Sequence, residues 1–354
     1  MPTVGTRSRS CALASAAILL AAFAPLGCGD DGEAASTSTT TGAAGSGGTG
    51  SGATTGGTGA TTTSGGEGGE GSSTGGSGAT STSSGPGGGG GAGGGSGGPT
   101  KSAGCGQPPP ASGELTIDIG GQQGSYVLSL PASYDPDTAL PLGFGFHGAG
   151  RTGPQCQAGD CAGFQEVMQE EAALVYMTSI AGPSWGDDFD LNDTFFLAVL
   201  DQLLATTCID VDRIFVAGTS SGAHFTNLLG CRHGDRLAAI APVAGYLPES
   251  EGCTGGVAAL VIHGVDDGSF EAGVTARDFW RAESGCDDTT VPPIPEVHDA
   301  VVAEPESHGC AVYQGCEAGV PVVWCEHSEG GYDGSTHGWP LFGGQQIWEF
   351  VSAL

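Results

Sequence analysis

The composition of this chain breaks abruptly near residue 100, and that break limits what can fold. Residues 29–103 are almost entirely Gly, Ser, Thr and Ala, with no periodicity and hardly a large apolar side chain. Such a segment cannot offset the entropy of its own ordering. It is expected to be a flexible tether, its repetitions being low complexity and not folded repeats. Residues 104–354, about 250 in number, suffice for one substantial α/β domain.

Residues 1–28 read as an export signal: Arg7 and Arg9 form a positive start, and Cys11 to Phe23 is an apolar run too short to span a membrane. The sequence Pro25-Leu26-Gly27-Cys28 resembles a bacterial lipoprotein cleavage site, which would leave Cys28 as an acylated first residue. Ordinary cleavage after Ala22-Phe23-Ala24 is the alternative. A secreted or surface-anchored, extracytoplasmic protein is expected, with membrane contact only through a lipid at Cys28.

Of twelve cysteines, Cys11 and Cys28 fall in the signal region, leaving ten for the domain (12 − 2 = 10). An even number in an exported chain points to disulfides. The spacings lack the paired close-set Cys and His of a zinc site, so no metal is expected. A formal charge of −30, with only nine Lys plus Arg, excludes nucleic acid as a partner, because phosphate backbones would be repelled.

Within the domain, Leu115–Ile119 and Ser125–Leu130 alternate around Gly120-Gly121-Gln122-Gln123-Gly124 and predict an antiparallel hairpin at a sheet edge. Leu140–Phe146, Ala173–Met177, Arg213–Ala217, Leu237–Val243, Ala258–Ile262 and Pro321–Cys325 are apolar runs suited to buried strands. Helical spacing marks Thr194–Ala205, Ala223–Cys231 and Gln345–Val351. The rhythm predicts a mainly parallel, doubly wound sheet with an N-terminal antiparallel hairpin. Asp287 to Ser307, rich in prolines and acids, is expected to be a loop excursion.

The strongest local signal is Gly218-Thr219-Ser220-Ser221-Gly222, set between an apolar strand and a helix, as in the nucleophile elbow of an α/β-hydrolase fold. Ser220 is the candidate nucleophile, with the Ser221 N–H as an oxyanion donor. A serine hydroxyl needs a histidine to take its proton and an acid to orient that histidine. In chain order the acid comes next, and Val261-Ile262-His263-Gly264-Val265-Asp266-Asp267 offers Asp266 or Asp267 at a strand's carboxyl end. The base is expected at His337, in Ser335-Thr336-His337-Gly338-Trp339-Pro340, with His327 and His308 as rivals. The loop His147-Gly148-Ala149-Gly150 would give the second oxyanion N–H from Ala149 or Gly150. His147, His224 and His263 are expected to be structural. Trp185, near Asp187, Asp188, Asn192 and Asp193, is a candidate substrate contact, a plain surface loop being the alternative.

These residues resemble the feruloyl esterases of the C and D types, related to polyhydroxybutyrate depolymerases and other bacterial esterases. The resemblance runs through Ala103-Gly104-Cys105-Gly106, Tyr126 to Asp135, Gly145-Phe146-His147-Gly148, Cys208-Ile209-Asp210, the Ser220 elbow, Ile262 to Asp267, and Tyr313-Gln314-Gly315-Cys316. It implies Ser220 as nucleophile, Asp267 as acid, four residues after the strand histidine, and His337 as base. The chain departs from the pattern at Glu329 to Thr336, where the family often has two glycines directly before its histidine. The family's cysteines match Cys105, Cys208, Cys231, Cys253, Cys286 and Cys316, with Cys286–Cys316 the pair the resemblance favours. Cys156, Cys161, Cys310 and Cys325 are additional here.

The resemblance implies hydrolysis of a carboxylic ester without metal or organic cofactor, the substrate being a hydroxycinnamic ester of plant cell-wall polysaccharide. Polyhydroxyalkanoate and acetylated xylan are alternative substrates. A non-catalytic polysaccharide-binding surface protein is the alternative from another class, and a peptidase shares the same acyl-transfer chemistry.

Overall fold

The computed structural model describes residues 98–293, 308–331 and 334–354. The expected export signal, Cys28 and most of the tether lie outside these residues. Order begins before residue 104: Val211 N–H donates to the Thr100 carbonyl (2.9 Å), and Ser102, 8% exposed, bonds Ile209 through both backbone and hydroxyl. The tether's expected end at residue 103 therefore overlaps a short segment built onto the domain.

Ten strands among the described residues form one sheet, in the order β1-β2-β4-β3-β5-β6-β7-β10-β9-β8. The hairpin is β1 (Gly113–Ile119) with β2 (Gln122–Ser129) at one edge. Its turn is only Gly120-Gly121, shorter than the five residues expected. Both have positive φ, the geometry that matches strand twist in a two-residue turn, so Gln122 pairs directly with Ile119. Six parallel strands follow: β3 (Leu140–Phe146), β4 (Ala173–Met177), β5 (Ile209–Thr219), β6 (Ala239–Val243), β7 (Ala258–Gly264) and β10 (Val322–His327).

The far edge corrects the sequence reading. β9 (His308–Tyr313) runs antiparallel to β10, and β8 (Thr290–Val291), inside the expected loop excursion, pairs with β9. These short edge strands are held by pairing to the strands that follow them, and Cys310 stands opposite Cys325 and is bonded to it. Residues 294–307 of the excursion lie outside the described set.

Alternation along the strands feeds two cores. On one face Leu142, Phe144, Phe146 and Val216 pack with Phe195 and Phe196 of α3 (Phe189–Thr206), Phe225 of α4 (Ser221–His233) and Trp280 of α5 (Phe270–Glu283). On the other, Leu174, Tyr176, Phe215 and Ile262 pack with Phe164 of α2 (Phe164–Met168) and Ile347 of α6 (Gly343–Ser352). The sheet is doubly wound, as predicted. α3 begins five residues earlier than its apolar spacing suggests, because Asp188 caps it through the Leu191 N–H.

The ten cysteines of the domain form five disulfides: Cys105–Cys208, Cys156–Cys161, Cys231–Cys253, Cys286–Cys316 and Cys310–Cys325. The six positions shared with the resembled family pair among themselves, including Cys286–Cys316, and the four additional ones do likewise.

Candidate active site

The carboxyl ends of β5 and β7 and the loop before α6 meet at Ser220. The serine sits between β5 and α4 with φ 54° and ψ −118°, a strained conformation for a residue with a side chain. Its neighbours explain why the turn can close. A Cβ on Gly218 would stand 2.5 Å from the Gly222 carbonyl carbon, and one on Gly222 would stand 2.4 Å from the Phe146 oxygen. Only glycine lets β3, β5 and α4 approach this closely. The Ser220 N–H donates to the Val243 carbonyl (2.9 Å), and the His224 N–H to the Ser220 carbonyl (3.0 Å), which fixes the turn from both sides.

His337 Nε2 lies 2.9 Å from Ser220 Oγ, and its Nδ1 lies 2.7 Å from Asp267 Oδ2. The three residues thus come together in an unbroken hydrogen-bonded line. The His337 loop is seated by its flanks: Thr336 packs on Gly264 so tightly that a Cβ there would meet the Thr336 oxygen at 2.2 Å, while the buried Trp339 packs edge-on against Phe164. Asp267 also accepts from the Ser269 N–H and hydroxyl through Oδ1, both at 2.9 Å. Burial alone would raise its carboxyl pKa, but hydrogen bonds from His263, Ser269 and His337 override that and hold it well below the usual carboxylate range. It is an anion at neutral pH, suited to hold an imidazolium.

The alternatives fall elsewhere. Asp266 is exposed. His327 is wholly buried at the end of β10, where burial first and the nearby His263 second push its pKa down to about 4. His308 lies flat on Phe342, ring centroids 3.8 Å apart. His337 is the histidine that reaches Ser220.

Two expectations are corrected. Gly150 cannot readily serve the oxyanion, because its N–H already donates to the Pro183 carbonyl at 2.7 Å, a bond made possible by its φ of +76°. Ala149 remains that loop's candidate donor. Trp185 is fully buried, stacks on Phe225 at 4.8 Å and donates its indole N–H to the His147 carbonyl at 2.9 Å. It supports the oxyanion loop from beneath and has no face for substrate. His147 is structural as expected: it bonds the Gly148 carbonyl through Nδ1 and accepts the Ser179 N–H at Nε2, and burial holds its pKa below the ordinary value.

The sequence reading missed His263 as part of the site. Its Nε2 lies 3.0 Å from Asp267 Oδ2, the same oxygen that His337 touches. The motif spacing from His263 to Asp267 was visible; that both would turn to meet was not. His224, one turn along α4 from Ser220, lies against the half-exposed Tyr246, their rings tilted at 39° with centroids 3.7 Å apart. Burial, and secondarily the charge of His337, lowers its pKa to about 4. Among the described residues no group of three or more His, Cys, Asp or Glu side chains is arranged to hold a metal ion.

A serine at a strained strand–helix turn in a mainly parallel, doubly wound sheet defines the α/β-hydrolase class. The solved acetyl xylan esterase from Aspergillus awamori shares this fold, with a TM-score of 0.52 at 13% identity over 68% of this chain and 99% of its own. No family model matches the sequence. The chain is similar to feruloyl esterase D of Neurospora crassa, 27% identical over 259 residues, covering 67% of this chain and 84% of the relative. It is similar also to feruloyl esterase C of Emericella nidulans, 27% identical over 267 residues, covering 70% and 90% respectively. The similarity to the two feruloyl esterases supports a carboxylic-ester hydrolase.

Proposed function

We propose that the chain is a serine esterase of the feruloyl esterase type, releasing hydroxycinnamic acids from plant cell-wall polysaccharide. The observation that carries the reaction is the line Ser220 Oγ–His337 Nε2, His337 Nδ1–Asp267 Oδ2 at the strained turn. The substrate class rests on the similarity to feruloyl esterases C and D.

In this reading His337 Nε2 takes the proton of Ser220 as Oγ bonds to the ester carbonyl carbon. The oxyanion is met by the N–H groups of Ser221 and Ala149. The Ser221 donor lies in the first turn of α4, where backbone N–H groups have no partner within the helix and the helix dipole favours negative charge. Collapse breaks the bond to the alcohol, which leaves with the proton from His337. Water, giving a proton to His337, then attacks the acyl-serine; the acid departs and the proton returns to Ser220. The buried, fully ionised Asp267 stabilises the imidazolium at both stages.

Five disulfides suit an oxidising compartment. The organisation we propose is an export signal over residues 1–28 with Cys28 as a lipid anchor, a tether from residue 29 that ends where residues 100–103 are built onto the domain, and the esterase domain through residue 354. The test is release of ferulate from methyl ferulate and feruloylated arabinoxylan, beside p-nitrophenyl acetate and butyrate, with Ser220→Ala as control. Ferulate release lost in the control is the expected result. Hydrolysis of the p-nitrophenyl esters alone would overturn the feruloyl assignment, and no hydrolysis by a folded, oxidised protein would favour a binding role.

A further inference from the structure

Asp267 Oδ2 serves two histidines. His337 Nδ1 stands 2.7 Å away and His263 Nε2 3.0 Å away. His263 is wholly buried on β7, and its other nitrogen has no room for a partner: a Cβ built on Gly273 of α5 would stand 2.0 Å from Nδ1. The ring proton therefore lies on Nε2, the nitrogen that faces an acceptor, and His263 donates to Asp267. Glycine in mid-helix costs roughly 1 kcal/mol relative to alanine. Here it lets α5 close over the imidazole, with Phe270 edge-on to the ring at 5.9 Å.

We propose that His263 is a positioning residue for ester hydrolysis: its N–H clamps the Asp267 oxygen that orients His337, and Gly273 of α5 holds its ring in register. The inference rests on the reading of Ser220, His337 and Asp267 as the reacting line. A carboxylate oxygen shared between two donors gives less of its charge to each. The clamp thus does two things. It fixes the rotation of the carboxylate, and it tempers the pull of Asp267 on His337.

The titratable groups around this cluster are Asp267 and the exposed Asp266 in the loop, Glu326, paired with His263 across the sheet, and His327 on β10, His337 before α6 and His224 on α4. α5 contributes Gly273 and Phe270 to the His263 ring, with Arg277 of the same helix lying over Trp324 beyond Phe270.

Two amide replacements isolate the hydrogen bond. In His263→Gln the amide nitrogen falls where Nε2 was, whereas in His263→Asn it falls near Nδ1 and does not reach Asp267. The measurement is kcat/KM for p-nitrophenyl acetate against pH, on the full oxidised chain, with thermal midpoints for each variant. His263→Asn is expected to lose about tenfold, or ~1.4 kcal/mol of transition-state stabilisation, with the acid limb of its profile moved to higher pH because Asp267 Oδ2 then serves His337 alone. His263→Gln is expected to restore most of the rate and the original limb. Gly273→Ala, which displaces the ring from α5, is expected to behave like His263→Asn.

Equal losses in the Gln and Asn variants with an unmoved acid limb would overturn the proposal and leave His263 as packing. A folded His263→Asn chain with the parent profile would do the same. A separate arm, His337→Ala, guards the underlying reading: if it keeps the parent rate, the reacting line itself is wrong and the clamp falls with it.

Discussion

Ser220 carries a backbone strain that glycine would relieve, since glycine adopts φ 54° at less cost, and the proposed nucleophilic role accounts for a serine there. Around it, single side chains make separable predictions. Tyr246, half exposed and lying against His224 of α4, is the candidate contact for the aromatic acyl group of the proposed substrate. Tyr246→Ala is expected to raise KM for methyl ferulate by about fivefold, equal to ~1 kcal/mol, on the scale of one aromatic pair, while leaving p-nitrophenyl acetate nearly unchanged. Parallel Michaelis curves for the two esters check this. His327 gives a pH prediction with a definite sign. Its native pKa is pushed down to about 4 from an ordinary 6.5, so the unfolded chain binds the proton first. Stability therefore holds above pH 6.5 and falls as pH drops toward 4, by on the order of 3 kcal/mol from this residue. Urea midpoints between those limits should decline in the parent chain and decline less in His327→Leu.

At the scale of elements, the strands buried on both faces were the legible ones. Leu140–Phe146 and Ala173–Met177 have the limits their apolar runs suggest, because solvent is excluded from both sides. β8 and β9 were not legible, since short edge strands gain their order from β10 and the Cys310–Cys325 bond and not from their own pattern. The site followed the same division. Ser220 and His337 stood out through local motifs, whereas the motif left Asp266 and Asp267 open, and only the family resemblance, placing the acid four residues after His263, favoured Asp267 before the fold showed it turned inward. The Gly150 N–H and the Trp185 indole were misjudged for a similar reason: the Pro183 carbonyl and Phe225 that engage them come from other parts of the chain. The disulfides give a testable ranking. Cys105–Cys208 closes a separation of 103 residues and Cys156–Cys161 one of 5. On chain entropy, removing the first pair as serines is expected to cost about 5 kcal/mol and the second about 2, read from urea midpoints.

The whole molecule is strongly acidic, at a formal −30. Its field opposes anions approaching the site and favours departure of a carboxylate product. Hydrolysis of an anionic ester such as p-nitrophenyl succinate is therefore expected to speed up with added salt, as screening shortens the Debye length from about 30 Å at 0.01 M to 10 Å at 0.1 M, while the neutral acetate ester is little affected. Equal salt dependence for the two would show that charge plays no part in access. All of this presumes that one serine does the chemistry. The most direct test is labelling of the intact, oxidised chain with a fluorophosphonate, followed by peptide mapping. A single adduct on the peptide containing Ser220, absent in Ser220→Ala and strongly slowed in His337→Ala, is the predicted result. An adduct on another serine, or none on a folded chain, would contradict the assignment of Ser220 as the nucleophile.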